Sequence, residues 1–248
     1  MKPYIDWKPT RDPHLRVGER KLHEQLHTLK SNDLTARKDR LKHISLGESL
    51  AKKKIAGMVL DIGCGNGYSS VHIAKTRDVK QIHAMECNVP AVDKLIRKNF
   101  VNNKIPESKY ELILGSFNNI RNKNYYDFVV AMGAIHHSSN LLRTMKEVYG
   151  CLKMGGIFIA HEPFMIDTTP NKFFIQKENT IKKVQGLVAM KESDRDDHFF
   201  RKCEYLTAFY HSGFDVTSFH ELGKDQLKSA VMVLQKTQPI RKFPHDWV

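Results

Sequence analysis

The chain has no apolar run of about 20 residues, so a membrane-spanning helix is not expected. Its first residues, Met1-Lys2-Pro3-Tyr4-Ile5-Asp6, lack the apolar core of a signal peptide. Cysteine is sparse: four residues at 64, 87, 151 and 203, with no Cys-x-x-Cys, which argues against a zinc knuckle or a redox pair. Reduced thiols in a cytoplasmic compartment are expected. No internal repeat or low-complexity tract occurs. No glycine-rich segment ends in Gly-Lys-Ser/Thr, so a P-loop is excluded.

The 248 residues are 41% hydrophobic, enough for one α/β domain and an appendage. Net charge is +13. Residues 1–57 hold 14 Lys/Arg and 7 Asp/Glu, so +7 of that excess lies in the amino-terminal part. Such a surface attracts phosphates, nucleic acid or anionic head groups, and equally describes a soluble basic face.

Residues 1–13 carry three prolines and read as an irregular arm. Leu22, Leu26 and Leu29, then Leu41, Ile44 and Leu46, recur at helical spacing, making 1–56 a basic helical cap. Beyond residue 57 strands and helices alternate. Strands fit 58–62, 81–86, 110–115, 126–132 and 156–161; helices fit 67–76, 89–102 and 140–152. Repeated β-α-β implies a parallel sheet with right-handed crossovers. The pattern breaks over 163–198 into a charged stretch expected to fold over a substrate. A helix at 200–212, closed by Gly213, precedes strands Phe214–Leu222 and Leu227–Gln235. The domain then spans 57–238, and 239–248 form a tail.

The stretch Val59-Leu60-Asp61-Ile62-Gly63-Cys64-Gly65-Asn66-Gly67-Tyr68 is an apolar strand ending in a carboxylate and a tight glycine turn. Glycine is needed where backbone takes positive φ or must let a ligand approach. The dinucleotide fingerprint G-x-G-x-x-G fails, because no glycine stands at its third position. The pattern D-x-G-x-G-x-G, on Asp61, Gly63, Gly65 and Gly67, resembles motif I of the class I S-adenosyl-L-methionine (SAM)-dependent methyltransferases. Ala134-Ile135-His136-His137 after the fourth strand and Leu152-Lys153-Met154-Gly155-Gly156 resemble turns of the UbiE/type 11 small-molecule methyltransferases, with Met154 in place of proline.

The resemblance covers 57–235. It implies an α/β, Rossmann-like, seven-stranded, mostly parallel sheet with a closing antiparallel hairpin, here with an amino-terminal helical cap, and SAM as cofactor. It implies cofactor contacts from Asp61, Gly63, Cys64, Gly65, Gly67, Tyr68, Glu86, Cys87, Ser116, Phe117 and Met132. Glu86, ending the second strand, is placed to accept ribose hydroxyls. Ser116 and Phe117 stand where the family usually has an acid for the adenine amine.

Ligands of open parallel sheets bind at the carboxyl ends of the strands. The groups there able to move a proton are His136 and His137 after strand four, and His161 and Glu162 after strand five. Each imidazole also fits a packed role shaping the pocket, and Glu162 fits a cap on the next segment. Asp197 and His198 are expected to meet the substrate. His23-Glu24-Gln25-Leu26-His27 fits the zinc-protease pattern H-E-x-x-H, but zinc needs a third ligand and a protease scaffold, so no metal is assigned.

The expected activity is methyl transfer to oxygen or nitrogen of a small molecule. An acidic metabolite or a lipid- or nucleotide-linked sugar would suit the basic cap. The alternatives are an RNA methyltransferase using the basic amino-terminal region and a SAM-binding partner subunit without transfer chemistry.

Overall fold

The computed structural model describes residues 4–7, 33–89, 91–138, 140–170, 200–224 and 227–239. Eight strands form one sheet: β1 (Ile5–Asp6), β2 (Gly57–Ile62), β3 (Val79–Glu86), β4 (Tyr110–Leu114), β5 (Tyr126–Met132), β6 (Leu152–Met165), β7 (Asp215–Leu222) and β8 (Leu227–Gln235). Their spatial order is β1-β4-β3-β2-β5-β6-β8-β7. Pairings from β1 to β6 are parallel; β8 runs antiparallel to both β6 and β7. The order reverses beside β2, whose neighbours are β3 and β5. That places a crevice at the carboxyl ends of β2 and β5.

The helices described are α1 (Asp33–Ala51), α2 (Tyr68–Ala74), α3 (Arg97–Asn102), α4 (Leu141–Cys151) and α5 (Lys202–Ser212). Side chains alternate across a strand, so β2 sends Val59 to one core and Leu60 and Ile62 to the other. Ile44 of α1, Val71 and Ile73 of α2 and Phe100 of α3 cover the first face. Met145 and Val148 of α4 with Tyr205 and Phe209 of α5 cover the second. Among the described residues, no helix is long and apolar enough to cross a membrane.

Among the described residues the sheet has eight strands where seven were expected. Ile5–Asp6 leaves the irregular arm to pair with Ile113 and Leu114, because Trp7 buries its indole beside Gly115 and the Trp7 backbone N–H donates to the Leu114 carbonyl at 2.9 Å. A two-residue strand has no periodicity to read. β6 runs to Met165, past the expected end at 161, because β8 pairs with it from Ile157 to Met165. The helix expected over 89–102 opens as a π-turn, Ala91–Ile96. The regular strand pattern of β6 continues into the stretch 163–198 as far as Met165. Residues after β6 meet those before α5: the Met165 N–H donates to the Phe200 carbonyl at 3.0 Å, and Arg201 donates to the carbonyls of Ile166, Asp167 and Thr169. Residues 8–32 and 171–199 lie outside the described residues. They include the H-E-x-x-H motif, Asp197 and His198.

Candidate functional site

The turn after β2 is built by three left-handed glycines, with φ of +63° at Gly63, +57° at Gly65 and +74° at Gly67. Two of them are also packed tight. A Cβ on Gly63 would lie 2.7 Å from the Ala134 Cβ, and one on Gly67 2.7 Å from Ile96 Cγ2. Gly65 differs: a Cβ there meets nothing within 4 Å, and the same holds at Gly133, which follows β5. Side-chain-free backbone thus borders open space at both strand ends of the crevice. This is the cradle that close approach of a ligand's main axis requires.

Two buried carboxyls flank the cradle. Asp61 is 1% exposed and accepts the Ser70 hydroxyl at 2.5 Å. Burial lifts its pKa to about 7, against the opposing pull of Ser70 and Arg40; Glu86 adds to the rise. Glu86, ending β3, accepts the N–H of Gly65 at 2.9 Å on one oxygen, and the N–H groups of Cys87 (2.8 Å) and Asn88 (3.2 Å) on the other. Its carboxylate therefore ties the glycine turn to the end of β3. Cys64 is buried, and burial beside Asp61 and Glu86 pushes its thiol pKa well up, so it is not a nucleophile.

The other expected cofactor residues lie along the same edge. Tyr68 opens α2, where its N–H donates to the Asn66 side chain at 3.1 Å. The Cys87 thiol reaches Glu86 at 3.2 Å. Ser116 is nearly buried, and its hydroxyl accepts the Asn118 N–H at 3.2 Å while its carbonyl accepts that of Asn119 at 3.0 Å. Half-buried Phe117 lies beside Gly63, and Met132 is buried at the end of β5.

His161 and Glu162, adjacent in sequence, fall on opposite faces of β6, as strand alternation demands. Glu162 is fully buried. It accepts the N–H groups of Ala134 (2.8 Å), Ile135 (2.9 Å) and His136 (3.3 Å), and the His136 Nδ1 at 2.7 Å. Burial alone would raise its pKa; the His136 contact and the two backbone N–H groups outweigh it and hold the carboxyl below its ordinary value. Glu162 therefore orients the turn after β5 and the His136 ring. The His137 ring lies 4.0 Å from that of His136.

On the opposite face His161 stacks on His43 of α1, ring centres 3.7 Å apart and planes 19° from parallel. Burial, and secondarily His43, lowers the His161 pKa to about 4, so it is neutral near pH 7. His161 Nε2 and His43 Nδ1 are buried with no hydrogen-bond partner. Sequence reasoning missed His43, and with it Arg40, whose charge is felt at both Asp61 and His161. No local signal marks either one, because only the packing of α1 across the sheet brings them to the edge. Among the described residues, no cluster of three or more His, Cys, Asp or Glu is arranged to hold a metal.

Residues 60–160 match the family described as a methyltransferase domain (Methyltransf_11). Over 165 residues, 66% of this chain, the sequence is 26% identical to a sterol 24-C-methyltransferase (erg6) of Aspergillus fumigatus, of which the match covers 41%. It is 26% identical over 176 residues, 68% of this chain, to a tRNA U34 carboxymethyltransferase of Campylobacter fetus, of which 57% is covered. The match thus spans less than two thirds of either relative. Among solved structures, a geranyl diphosphate C-methyltransferase of Streptomyces coelicolor, in complex with Mg2+, a thiolodiphosphate analogue and S-adenosyl-L-homocysteine, shares the fold with a TM-score of 0.62. That likeness is at 14% identity and covers 94% of this chain and 87% of the other. The glycine turn and the switch point described above fall within the part of the chain, residues 60–160, that is similar to the methyltransferase domain family.

Proposed function

We propose that this protein methylates an oxygen or nitrogen atom of a small-molecule acceptor, with His136 as the base. The observation that carries this is the 2.7 Å contact between His136 Nδ1 and buried Glu162, one turn beyond the open backbone of Gly133. Glu162, a carboxylate held below its ordinary pKa, contacts Nδ1, the arrangement in which a histidine takes a proton at its other ring nitrogen. Bound SAM supplies a sulfonium methyl for in-line displacement. The protein's part is positioning and removal of the acceptor's proton.

In this reading Asp61, Gly63, Cys64, Gly65, Gly67 and Tyr68 hold the amino-acid end of SAM, and Glu86 and Cys87 its ribose. Ser116, Phe117 and Met132 hold the adenine. His137 and His161 shape the wall next to the acceptor, and Glu162 positions His136.

The net charge of +13 supports a second reading, an RNA acceptor. One experiment separates the two: purified protein with methyl-labelled SAM, offered fractionated metabolites and bulk RNA in parallel. Label in a low-molecular-weight fraction, lost by about 100-fold or more in His136→Asn while S-adenosyl-L-homocysteine still binds, is the expected result. Label only in RNA, with affinity falling steeply in salt, would replace the first reading by the second. No transfer to either would leave a SAM-binding subunit without chemistry.

A further inference from the structure

We infer that the edge of the sheet where the parallel strands begin docks on an anionic phospholipid surface, leaving the crevice at the opposite edge turned toward water.

Charge is divided unequally between the two edges. Strands β2 to β5 are mutually parallel, so all four start at one edge and end at the other. The segments that enter them, residues 52–56, 75–78, 103–109 and 119–125, hold nine Lys/Arg and two Asp/Glu. The turns that leave them, residues 63–67, 87–90, 115–118 and 133–140, hold no Lys, Arg, Asp or Glu. The basic edge lies about 20 Å from the crevice, the length of a six-residue strand such as β2, and is not part of it. Lys52, Lys53, Lys54, Arg77 and Lys104 are all exposed. Lys54 pairs with Glu48 at 2.7 Å, and Lys53 lies over the Phe128 ring. Lys52, Arg77 and Lys104 have no side-chain partner among the described residues. Lys52 and Lys104 also take left-handed backbone, with φ of +51° and +55°, just past the ends of α1 and α3, where glycine is the unstrained residue. A lysine at a helix end offsets the helix dipole, but Arg121 and Lys123 follow no helix.

Such charge would also draw a nucleic acid, and the apolar groups beside it decide between the two. Seven large hydrophobic side chains are exposed among the described residues, and five of them stand at this edge. They are Val101 in the last turn of α3, Tyr125 before β5, Met154 at the start of β6, Tyr210 in the last turn of α5 and Val216 at the start of β7. The start of β7 belongs here because Asp215 and Ile157 both pair with Gln235. Val101 and Met154 are 61% and 53% exposed. Aliphatic side chains gain nothing from a phosphodiester backbone. At a bilayer they enter the boundary between head groups and acyl chains while neighbouring lysines meet the lipid phosphates.

Cosedimentation of the full chain with vesicles provides the test. Vesicles of phosphatidylcholine with about one third phosphatidylglycerol should bind the native protein, and vesicles of phosphatidylcholine alone should not. A variant carrying Lys52→Gly, Arg77→Gln and Lys104→Gly should bind the anionic vesicles about 100-fold more weakly, at about five-fold for each charge removed. It should fold at least as well as native protein by circular dichroism, because glycine relieves two left-handed positions. Met154→Ser should weaken vesicle binding by about three- to ten-fold and leave any affinity for bulk RNA unchanged. Equal binding of anionic vesicles by native protein and the triple variant places the contact elsewhere and overturns the inference. So does native protein that binds no anionic vesicles. Vesicle binding that Met154→Ser does not change marks a surface for any polyanion, with RNA the better occupant, and overturns it as well.

Discussion

The buried Asp61 carboxyl should make both stability and, in the proposed cofactor site, affinity for the cofactor depend on pH, with opposite signs. Its pKa stands at about 7 against an ordinary 3.8, because burial outweighs the Ser70 hydroxyl and the Arg40 charge. Three units correspond to about 4 kcal/mol of preference for the neutral form. The unfolded chain releases this proton near pH 4, whereas the folded chain keeps it until about 7. Between those values the folded state binds more protons, so the Asp61 contribution to stability declines as pH rises and levels off above 7. If Asp61 holds the α-ammonium of the proposed cofactor's amino-acid end, it must be ionised to do so. S-adenosyl-L-homocysteine affinity should therefore rise about 20-fold from pH 5.5 to 7.5, with a midpoint near 7. In Asp61→Asn the Ser70 hydroxyl still has an acceptor, and both trends should flatten. Calorimetric titrations across that range, with urea denaturation at the same pH values, measure the two. Affinity in the native protein that is flat, or that falls as pH rises, would refute the assignment of Asp61 to the ammonium.

Gly65→Arg should fold with a cost of about 1–2 kcal/mol for its left-handed backbone, since its Cβ meets nothing, yet lose S-adenosyl-L-homocysteine binding; circular dichroism and calorimetry report the two. Gly47→Ala drives a methyl into Ile159 and should lower stability by about 1–3 kcal/mol in urea denaturation. Glu162→Gln turns an amide N–H2 toward donors that now share one carboxylate, and should cost about 3–5 kcal/mol by the same measurement.

The strands that carry the site were legible because each is a short apolar run ending at a glycine or a polar residue. β2 and β5 were placed nearly to the residue for that reason. The glycines declared a tight turn, but only the structure separates Gly63 and Gly67, which pack, from Gly65, which faces open space. Glu162 was legible as a strand-end acid with two available roles. Choosing between them needs the turn after β5 folded back to deliver three backbone N–H groups onto it. His161 could not be told from Glu162 by proximity in sequence, since a β-strand sends neighbours to opposite faces. Arg40 and His43 were illegible because their place depends on α1 crossing β6, a contact between residues far apart in the chain.

A crystal structure of the protein grown with S-adenosyl-L-homocysteine tests the central claim most directly. The expected density runs along the backbone of Gly65 and Gly133, with the ribose at Glu86 and the amino-acid end at Asp61. Density for the same molecule elsewhere on the sheet, or a crevice holding only solvent at saturating concentration, would contradict it.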